Sequence, residues 1–410
     1  MKEKKFKFDY TVVIIALSCI MVFTTLGFCS SPRSIFIVPV TEALGITRSA
    51  FSLSNSARYI TTAVVNMFFG ALIYKFGPKK LICAGFISLI SSMLVFSFAP
   101  NTFVLCVGGV LLGLGFSFTT TTMVGAVVNR WCKKNKGTIM GLALACNGIG
   151  AAIALQILSP IIQKEVFAYK DAYRLVALIL VAVMIPIMIF FRNAPKGADE
   201  KEIVVQKKEK PDYKAILKTP YLYPAAFFIF SAGMVLQSVH GISAPLFQDS
   251  GMSMDTVTNI LSLSSLFLFV TKFGVGFIYD KLGVRHTSTI CYCSSIVSVI
   301  LLYIVSQTAN VPLAYGYTAF AALALPLETI MLPIYARELF GDRRFNEALG
   351  IFASVNTAGY AIGEPLSQLC YDLFGNYNVC IYISVATMIV ALITVHIVIS
   401  ISKKQREIPQ

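Results

Sequence analysis

Residues 70–80 read Gly70-Ala71-Leu72-Ile73-Tyr74-Lys75-Phe76-Gly77-Pro78-Lys79-Lys80, and the chain carries a second copy of this pattern. The second copy reads Gly276-x3-Asp280-Lys281-Leu282-Gly283-Val284-Arg285, at an offset of 206 residues. Three positions match between the copies: Gly70 with Gly276, Lys75 with Lys281, and Gly77 with Gly283. A pattern that recurs after about half of a chain indicates that the chain consists of two related halves.

A second set of repeated residues supports this division. Three pairs recur at an offset of 209 residues, namely Gly141 with Gly350, Asn147 with Asn356, and Gly150 with Gly359. Between the halves lies a polar stretch rich in Lys and Glu, which is typical of a linker. We therefore predict a first bundle at residues 1–192, a linker at 193–219 and a second bundle at 220–410.

The composition predicts that both halves lie in a membrane. Of the 410 residues, 56% are hydrophobic and 13% are charged, so that most of the apolar surface must face lipid. The apolar residues occur in runs of about 20 or more, which is the number that a helix needs to cross about 30 Å of hydrocarbon. We predict an all-α membrane protein with twelve transmembrane helices in two six-helix bundles. The predicted spans are 11–42, 49–74, 80–99, 102–129, 137–162, 172–191, 221–247, 256–279, 287–307, 311–336, 346–371 and 379–401.

The basic residues predict the orientation of these spans. The formal net charge is +14, and 27 of the 34 Lys and Arg fall in the termini and loops on one side of the predicted topology, against four in the opposite loops. The positive-inside rule places the basic side, with both termini, in the cytoplasm. We expect a multi-pass protein of the cell (plasma or inner) membrane. Because the basic residues follow membrane topology, we predict no nucleic-acid partner.

The repeated pattern resembles the loop between the second and third helices of the major facilitator superfamily of membrane transporters. In that family, an Asp four residues after the first Gly helps to latch the cytoplasmic gate. The second copy has this residue as Asp280, whereas the first copy departs from the family with Tyr74. The resemblance implies a twelve-helix transporter whose gate motif comprises the six matched residues and Asp280.

Shorter motifs resemble one group within that superfamily. Pro32-Arg33-Ser34-Ile35 is similar to the Pro-Lys-Ser-Ile of monocarboxylate transporters, with Arg33 in place of Lys. Residues 136–150 resemble the start of that group's fifth helix, and residues 340–350 resemble the approach to its eleventh. The oxalate/formate antiporters share these features. The resemblance implies transport of a small organic anion.

Lys272 is the predicted carboxylate-binding residue. A cation at the centre of a bilayer costs roughly 2.5–3.5 kcal/mol on insertion scales, so a charge inside a span is a functional candidate. Lys272 precedes Asp280 by eight residues, or about 12 Å of helix, which predicts a position near mid-membrane. The related transporters usually carry Arg there, which implies an anion site. The alternatives are pairing with Glu328 or Glu364, or extension of the Lys272 side chain towards the membrane surface.

Two arginines also lie inside predicted spans. Arg33 lies towards the outer end of its span, where it either closes the external path or attracts the anion. Arg58 matches no motif of the family, so we predict a structural role, in which it pairs with a carboxylate or with carbonyl groups.

Proton coupling requires a group that changes charge during transport. Monocarboxylate transporters place an Asp one helical turn before the cation of the eighth helix, but this chain has Leu268 there. Glu328, Glu364 and His240 are therefore the candidates for carrying a proton. His240 is also a candidate for binding substrate, and a hydrogen-bonded packing role is its alternative.

Three asparagines complete the predicted substrate site. Asn147 and Asn356 are repeat mates, and Asn66 is the repeat mate of Lys272. Their amides can donate hydrogen bonds to an anion in the cavity, or they can join helices. With Asn66 opposite Lys272, the two halves differ in charge at this level.

These features predict secondary active transport of a small organic anion, a monocarboxylate, by alternating access, with proton symport or anion exchange. Drug efflux is the alternative transport function, and a non-transporting membrane sensor is the alternative from another class. The sequence has neither an HExxH motif nor a GxxxxGK[ST] loop, so we predict no enzyme, and we expect neither a metal nor a cofactor. The expected partners are the substrate, a proton or counter-anion, and the lipid bilayer, and we expect a monomer.

Overall fold

The computed structural model describes residues 10–132, 136–193, 216–341 and 344–407, and these residues form no β-strand. Thirteen α-helices have both ends within the described residues, and a 3-10 helix (Leu325–Glu328) follows the tenth. The α-helices are α1 (Tyr10–Cys29), α2 (Arg33–Leu44), α3 (Arg48–Phe98), α4 (Thr102–Thr119), α5 (Thr121–Trp131), α6 (Lys136–Ile162), α7 (Tyr169–Phe190), α8 (Leu222–Asp249), α9 (Met254–Thr308), α10 (Val311–Ala324), α11 (Met331–Phe340), α12 (Phe345–Phe374) and α13 (Asn378–Glu407).

The prediction of an all-helical membrane fold is confirmed. Every predicted span lies, to within one residue at its ends, in one helix or in consecutive helices. By length and composition, nine helical segments of the described residues can cross a membrane, and the bent pair of α10 and α11 makes a tenth. The two predicted spans outside this set, 49–74 and 346–371, belong to α3 and α12, which pack against each other. Their polar residues are accommodated because this contact shields them from lipid.

The tenth predicted span is bent near Pro326. The segments Val311–Glu328 and Met331–Phe340 meet at 43°, and Pro326 lies in the 3-10 helix that ends the first of them. Proline removes a backbone donor and disfavours a continuous helix. By contrast, α6 and α12 continue through Pro160 and Pro365. Of these three prolines, therefore, Pro326 alone coincides with a break.

The repeated motif forms the same kink in both halves. Within α3, Gly77 has φ 76° and ψ 159°, and within α9, Gly283 has φ 74° and ψ 173°. Residues with a side chain rarely adopt these angles, so the backbone requires glycine at both positions. The sequence repeat therefore corresponds to a repeat in backbone conformation.

The first half of the chain (residues 10–193) contacts the second half (residues 216–407) mainly along α3 with α12 and along α6 with α9. In the described residues, the hydrogen bonds between the halves join positions such as Gln156 with Asn259 and Ser56 with Ala361. None of them involves residues next to the two kinks. We call the side at which α3 begins and α8 ends the Arg48 side, and the opposite side the Gly77 side. The described residues break off after Asn193 and resume at Ile216, so that most of the predicted linker lies outside them.

Candidate functional site

A cavity of about 210 Å³ lies between the two halves. Its wall includes the three cations and the two carboxylates of the predicted spans, together with His240. These residues come from six separate segments, namely Arg33 from α2, Arg58 from α3, His240 from α8, Lys272 from α9, Glu328 from the 3-10 helix and Glu364 from α12. The fold thus gathers ionisable side chains that are up to 331 positions apart in sequence.

Arg33 and Glu364 form an ion pair across the two halves. The distance from Arg33 Nε to Glu364 Oε1 is 3.3 Å, and the two side chains are 9% and 2% exposed. Arg33 Nη2 also donates to the carbonyl of Phe51 at 3.1 Å, and its guanidinium lies 4.5 Å from the Phe51 ring centroid. Asn55 Nδ2 donates to the second oxygen of Glu364. Both oxygens of this buried carboxylate are therefore hydrogen-bonded.

Arg58 lines the cavity and forms no salt bridge with a described carboxylate. Its Nη1 donates to Ser30 Oγ at 2.8 Å, whereas its Nε has no hydrogen-bond partner within the described structure. The guanidinium carbon lies 4.1 Å from the ring centroid of Tyr59 and 5.3 Å from that of Phe116. No described carboxylate forms a salt bridge with it. Of the two kinds of partner predicted for Arg58, a carboxylate or a carbonyl group, the described residues therefore supply no carboxylate within salt-bridge distance.

Lys272 and Glu328 also line the cavity. Neither side chain forms a salt bridge with any described residue. Glu328 Oε1 has no hydrogen-bond partner among those residues. Glu328 interacts with Tyr360 and attracts Lys272 electrostatically, which leaves Glu328 Oε1 and the Lys272 ammonium group to contact a molecule in the cavity. Leu268 lies one helical turn before Lys272 in the same wall.

Among the uncharged predicted residues, the structure brings Asn147 into the cavity wall but not Asn66 or Asn356. Asn147 Oδ1 accepts from Ser31 Oγ at 3.2 Å. Asn66 is exposed, and its Oδ1 accepts from Thr122 Oγ1 at 3.5 Å within the first half. Asn356 is 3% exposed and packs against α8. A Cβ atom added at Gly233 of α8 would lie only 2.6 Å from Asn356 Oδ1, so the two helices are in close contact here. Asn66 and Asn356 therefore face neighbours outside the cavity.

The sequence did not point to several neutral polar residues of the cavity wall. They are Ser30, Ser31, Ser34, Asn55, Tyr59, Gln237, Ser243, Ser264, Ser265 and Thr329. Tyr59 donates from its hydroxyl group to Gln237 Oε1 at 3.0 Å, which joins the halves. Polar residues within apolar spans were the available signal, but such residues also hydrogen-bond to their own helix.

The gate motif lies around the two kinks rather than at the cavity. Gly70 and Gly276 lie inside α3 and α9, and Lys75 and Lys281 lie 5.4 Å and 4.3 Å from the ring centroids of neighbouring phenylalanines. Asp280 is exposed, as is Tyr74 at the matching position.

In the first half, Asn193 contacts this motif from the end of α7. Its Oδ1 accepts from the backbone N–H of Lys79 at 2.9 Å, and its carbonyl accepts from Arg130 Nη1 at 3.1 Å. These contacts connect the kink of α3 at Gly77 to the ends of α5 and α7.

The described residues contain no group of three or more His, Cys, Asp or Glu that could hold a metal ion. The ionisable groups of the cavity are instead arranged as three cations and two carboxylates, with a small enclosed volume between them. Chemically, such a site can hold a small anion by charge and by hydrogen bonds from Arg, Lys and amide groups.

Comparison with known proteins identifies the family. The sequence profile of the Major Facilitator Superfamily matches residues 12–323 and 237–409. An uncharacterised transporter of this superfamily, YcxA of Bacillus subtilis, is 25% identical over 303 residues, which is 68% of this chain and 72% of YcxA. Monocarboxylate transporter 13 of Bos taurus is 25% identical over 75% of this chain and 70% of its own length. The oxalate:formate antiporter of Oxalobacter formigenes is 23% identical over 87% and 84% of the two chains.

A solved structure agrees on the fold. A crystal structure of a mutant of the nucleoside transporter NupG superposes with a TM-score of 0.79 and covers 94% of this chain and 99% of its own, at 11% sequence identity. The resemblance to transporters of the monocarboxylate and oxalate/formate groups is confirmed, and the chain is a transporter rather than an enzyme. This multi-pass membrane protein belongs to the Major Facilitator Superfamily.

Proposed function

We propose that this protein is a secondary active transporter of a small organic anion, a monocarboxylate. The observation that carries the proposal is the charge of the cavity wall. Three cations face two carboxylates, so that the formal charge is +1 with His240 neutral. An excess charge removed from water is unfavourable unless a counter-charge accompanies it. A monoanion in the cavity supplies that counter-charge.

Lys272 binds the carboxylate in this proposal. Its ammonium group lines the cavity and has no salt bridge to any described residue. Asn147 and His240 lie in the same wall and supply further hydrogen-bonding groups. Two relatives support the substrate class by their names, one a monocarboxylate transporter and the other an oxalate:formate antiporter.

The size of the cavity favours a small solute over an amphipathic drug. Sites for drug-sized ligands enclose about 300–1,000 Å³, whereas this cavity encloses about 210 Å³. Its wall is also rich in serine and charged residues. Both properties suit an acid of a few carbon atoms.

Alternating access accounts for where the halves are joined. The hydrogen bonds between the halves lie from the cavity towards the Arg48 side, and none of those described lies near the two kinks. The positive-inside rule assigns the Arg48 side to the exterior and the Gly77 side, with both termini, to the cytoplasm. Transport then requires these contacts to break as the two bundles rock about the cavity. The cycle is driven either by symport of a proton, which Glu328, Glu364 or His240 would carry, or by exchange for a second anion.

Uptake into proteoliposomes tests the proposal. The purified protein is reconstituted, and uptake of labelled monocarboxylates of two to four carbons is measured with and without a pH gradient and with and without internal anion. We expect saturable uptake that one of these two gradients stimulates. Export of a cationic dye without carboxylate uptake would identify a drug efflux transporter, and absence of counterflow for every solute would favour a sensor.

Lys272→Ala tests the site within the same assay. Loss of a charged hydrogen bond to the substrate lowers uptake by about 10- to 100-fold, at unchanged abundance in the membrane. Lys164→Ala is the matched control, because Lys164 is exposed and lies outside the cavity. Uptake by Lys272→Ala that equals that of the control would refute the site assignment.

A further inference from the structure

Arg58 is a buried cation whose hydrogen-bonding capacity is only partly used by the described protein groups. The residue is 4% exposed, and a guanidinium carries five N–H donors and no acceptor. Ser30 Oγ accepts from Nη1, and Nε has no partner within the described structure. Because a buried polar group without a partner is costly, the guanidinium favours acceptors from a molecule that enters the cavity.

The carboxylates of the cavity do not supply these acceptors. Glu364 accepts from Arg33 on one oxygen and from Asn55 on the other. Glu328 belongs to the second half and forms no salt bridge with Arg58. Arg58 therefore differs from Arg33, whose charge is balanced by Glu364.

Two aromatic rings hold the Arg58 guanidinium in place. Its central carbon lies 4.1 Å from the Tyr59 ring centroid and 5.3 Å from the Phe116 ring centroid. A cation over an aromatic ring is attracted to the ring face, and this contact leaves the N–H groups at the guanidinium edge available. A donor fixed in this way loses little entropy when it binds an acceptor.

We propose that Arg58 is a substrate-binding residue that recognises a second oxygen-bearing group of the substrate, in addition to the carboxylate that Lys272 binds. This inference rests on the proposed function. Arg58 belongs to the first half and Lys272 to the second, and both line the same cavity. A substrate with two acceptor groups therefore contacts both halves at once.

The formal charge indicates which second group fits. One carboxylate neutralises the formal charge of +1 in the cavity wall, so the second acceptor is an uncharged hydroxyl or oxo group. A dicarboxylate leaves a charge of −1, and its transport requires an accompanying proton. The preferred substrates are therefore hydroxy and oxo monocarboxylates.

The first experiment uses the wild-type protein in proteoliposomes. Uptake is compared for propanoate, 2-hydroxypropanoate, 3-hydroxypropanoate and 2-oxopropanoate, which share a three-carbon skeleton and differ in the second acceptor. We expect kcat/KM for at least one hydroxy or oxo acid to exceed that for propanoate by about 10- to 100-fold, as expected for a hydrogen bond to a charged donor.

The second experiment uses Arg58→Lys and Arg58→Gln, with Arg174→Gln as the control. Arg58→Lys keeps the charge but loses the planar set of donors, which protects the variant from a general failure to fold. We expect both Arg58 variants to reduce the preference over propanoate to within about threefold. Arg174 lies outside the cavity and is 47% exposed, so its variant keeps the wild-type preference.

Three results would overturn the inference alone, and a fourth would overturn the proposed function as well. Wild-type protein that transports propanoate as well as the other acids refutes recognition of a second group, and the proposed function stands. Arg58→Lys with the wild-type preference refutes the role of Arg58. Equal loss of uptake for all four acids in the Arg58 variants, with lower membrane abundance, indicates a structural role. Wild-type protein that transports none of these acids refutes the proposed function itself.

Discussion

The two halves of this transporter share a backbone feature and differ in the charges that they bring to the cavity. Gly77 and Gly283 have nearly the same positive φ and extended ψ in the two copies of the gate motif. At the cavity, the first half contributes Arg33 and Arg58, whereas the second contributes Lys272 and both carboxylates. A repeated fold can therefore hold a site that is not repeated, because function depends on particular side chains rather than on the fold.

The same difference in charge joins the halves. Glu364 of the second half pairs with Arg33 of the first, and Asp249 of the second half pairs with Arg48 of the first. In both pairs the first half supplies the arginine. Variants that change one charge at a time therefore test whether this complementarity holds the two halves together.

The largest effect is expected for Glu364→Gln, which removes the carboxylate from the buried pair. Arg33 then remains buried without a counter-charge, and breaking a buried pair in this way costs about 3–5 kcal/mol. We expect a large loss of stability and of uptake. Unfolding in mixed detergent micelles measures the first, and anion uptake in proteoliposomes measures the second.

A double variant separates pairing from packing at this position. In Arg33→Gln with Glu364→Gln neither charge is left alone, so the loss of stability is smaller than the sum of the two single losses. Glu165→Gln is the control for the loss of a negative charge, because Glu165 is exposed. Additive losses would mean that the two side chains contribute independently.

A smaller effect is expected for Arg48→Gln on the Arg48 side. Arg48 donates from Nη1 and Nη2 to the two oxygens of Asp249, at 2.6 and 2.8 Å, and Asp372 accepts from the backbone N–H groups of Arg48 and Ser49. The bidentate pair is partly exposed, and its loss costs about 1–2 kcal/mol. The halves then separate more readily on this side.

Thiol labelling measures this separation. A cysteine replaces Ser34 of the cavity wall in a background without the ten native cysteines. We expect Arg48→Gln to increase the labelling rate by an impermeant thiol reagent by about tenfold, which corresponds to about 1.4 kcal/mol. Arg174→Gln breaks an exposed pair with Asp171 inside the first half and leaves labelling unchanged. Equal labelling in all three proteins would show that Arg48 does not hold the halves together.

The positions of the charged cavity residues could be predicted from the sequence. Arg33, Lys272, Glu328 and Glu364 interrupt apolar spans, and an ionisable residue in such a span rarely faces lipid. Their convergence on one cavity follows from this constraint. The pairing of Arg33 with Glu364 does not follow from it, because the charges alone do not determine which helices are adjacent or at which depth they meet.

The surroundings of Arg58, Asn66 and Asn356 could not be predicted for related reasons. The repeat predicts Asn66 for the site as the mate of Lys272, but repeat symmetry does not require both mates to face the same cavity. Asn356 faces α8 at Gly233, a contact that depends on the rotation of two helices about their axes. Arg58 matches no motif, and only the packing of the helices shows that no described carboxylate forms a salt bridge with it.

The smallest difference between two variants is expected for the feature that the halves share. Gly77→Ala and Gly283→Ala each place a side chain on a backbone with φ near 75°, a conformation that costs non-glycine residues about 1–3 kcal/mol. A Cβ atom at Gly283 has no neighbour within 4 Å among the described residues, and one at Gly77 lies 3.5 Å from the Asn193 side chain, which is an ordinary contact. Steric crowding therefore adds little at either position. We expect the two variants to lose nearly equal stability in mixed detergent micelles.

Gly276→Ala is the control. A Cβ atom at Gly276 also meets no described atom within 4 Å, and Gly276 has no positive φ, so this variant loses less stability. Unequal losses would mean that the two kinks, although alike in backbone angles, are supported differently by the halves around them.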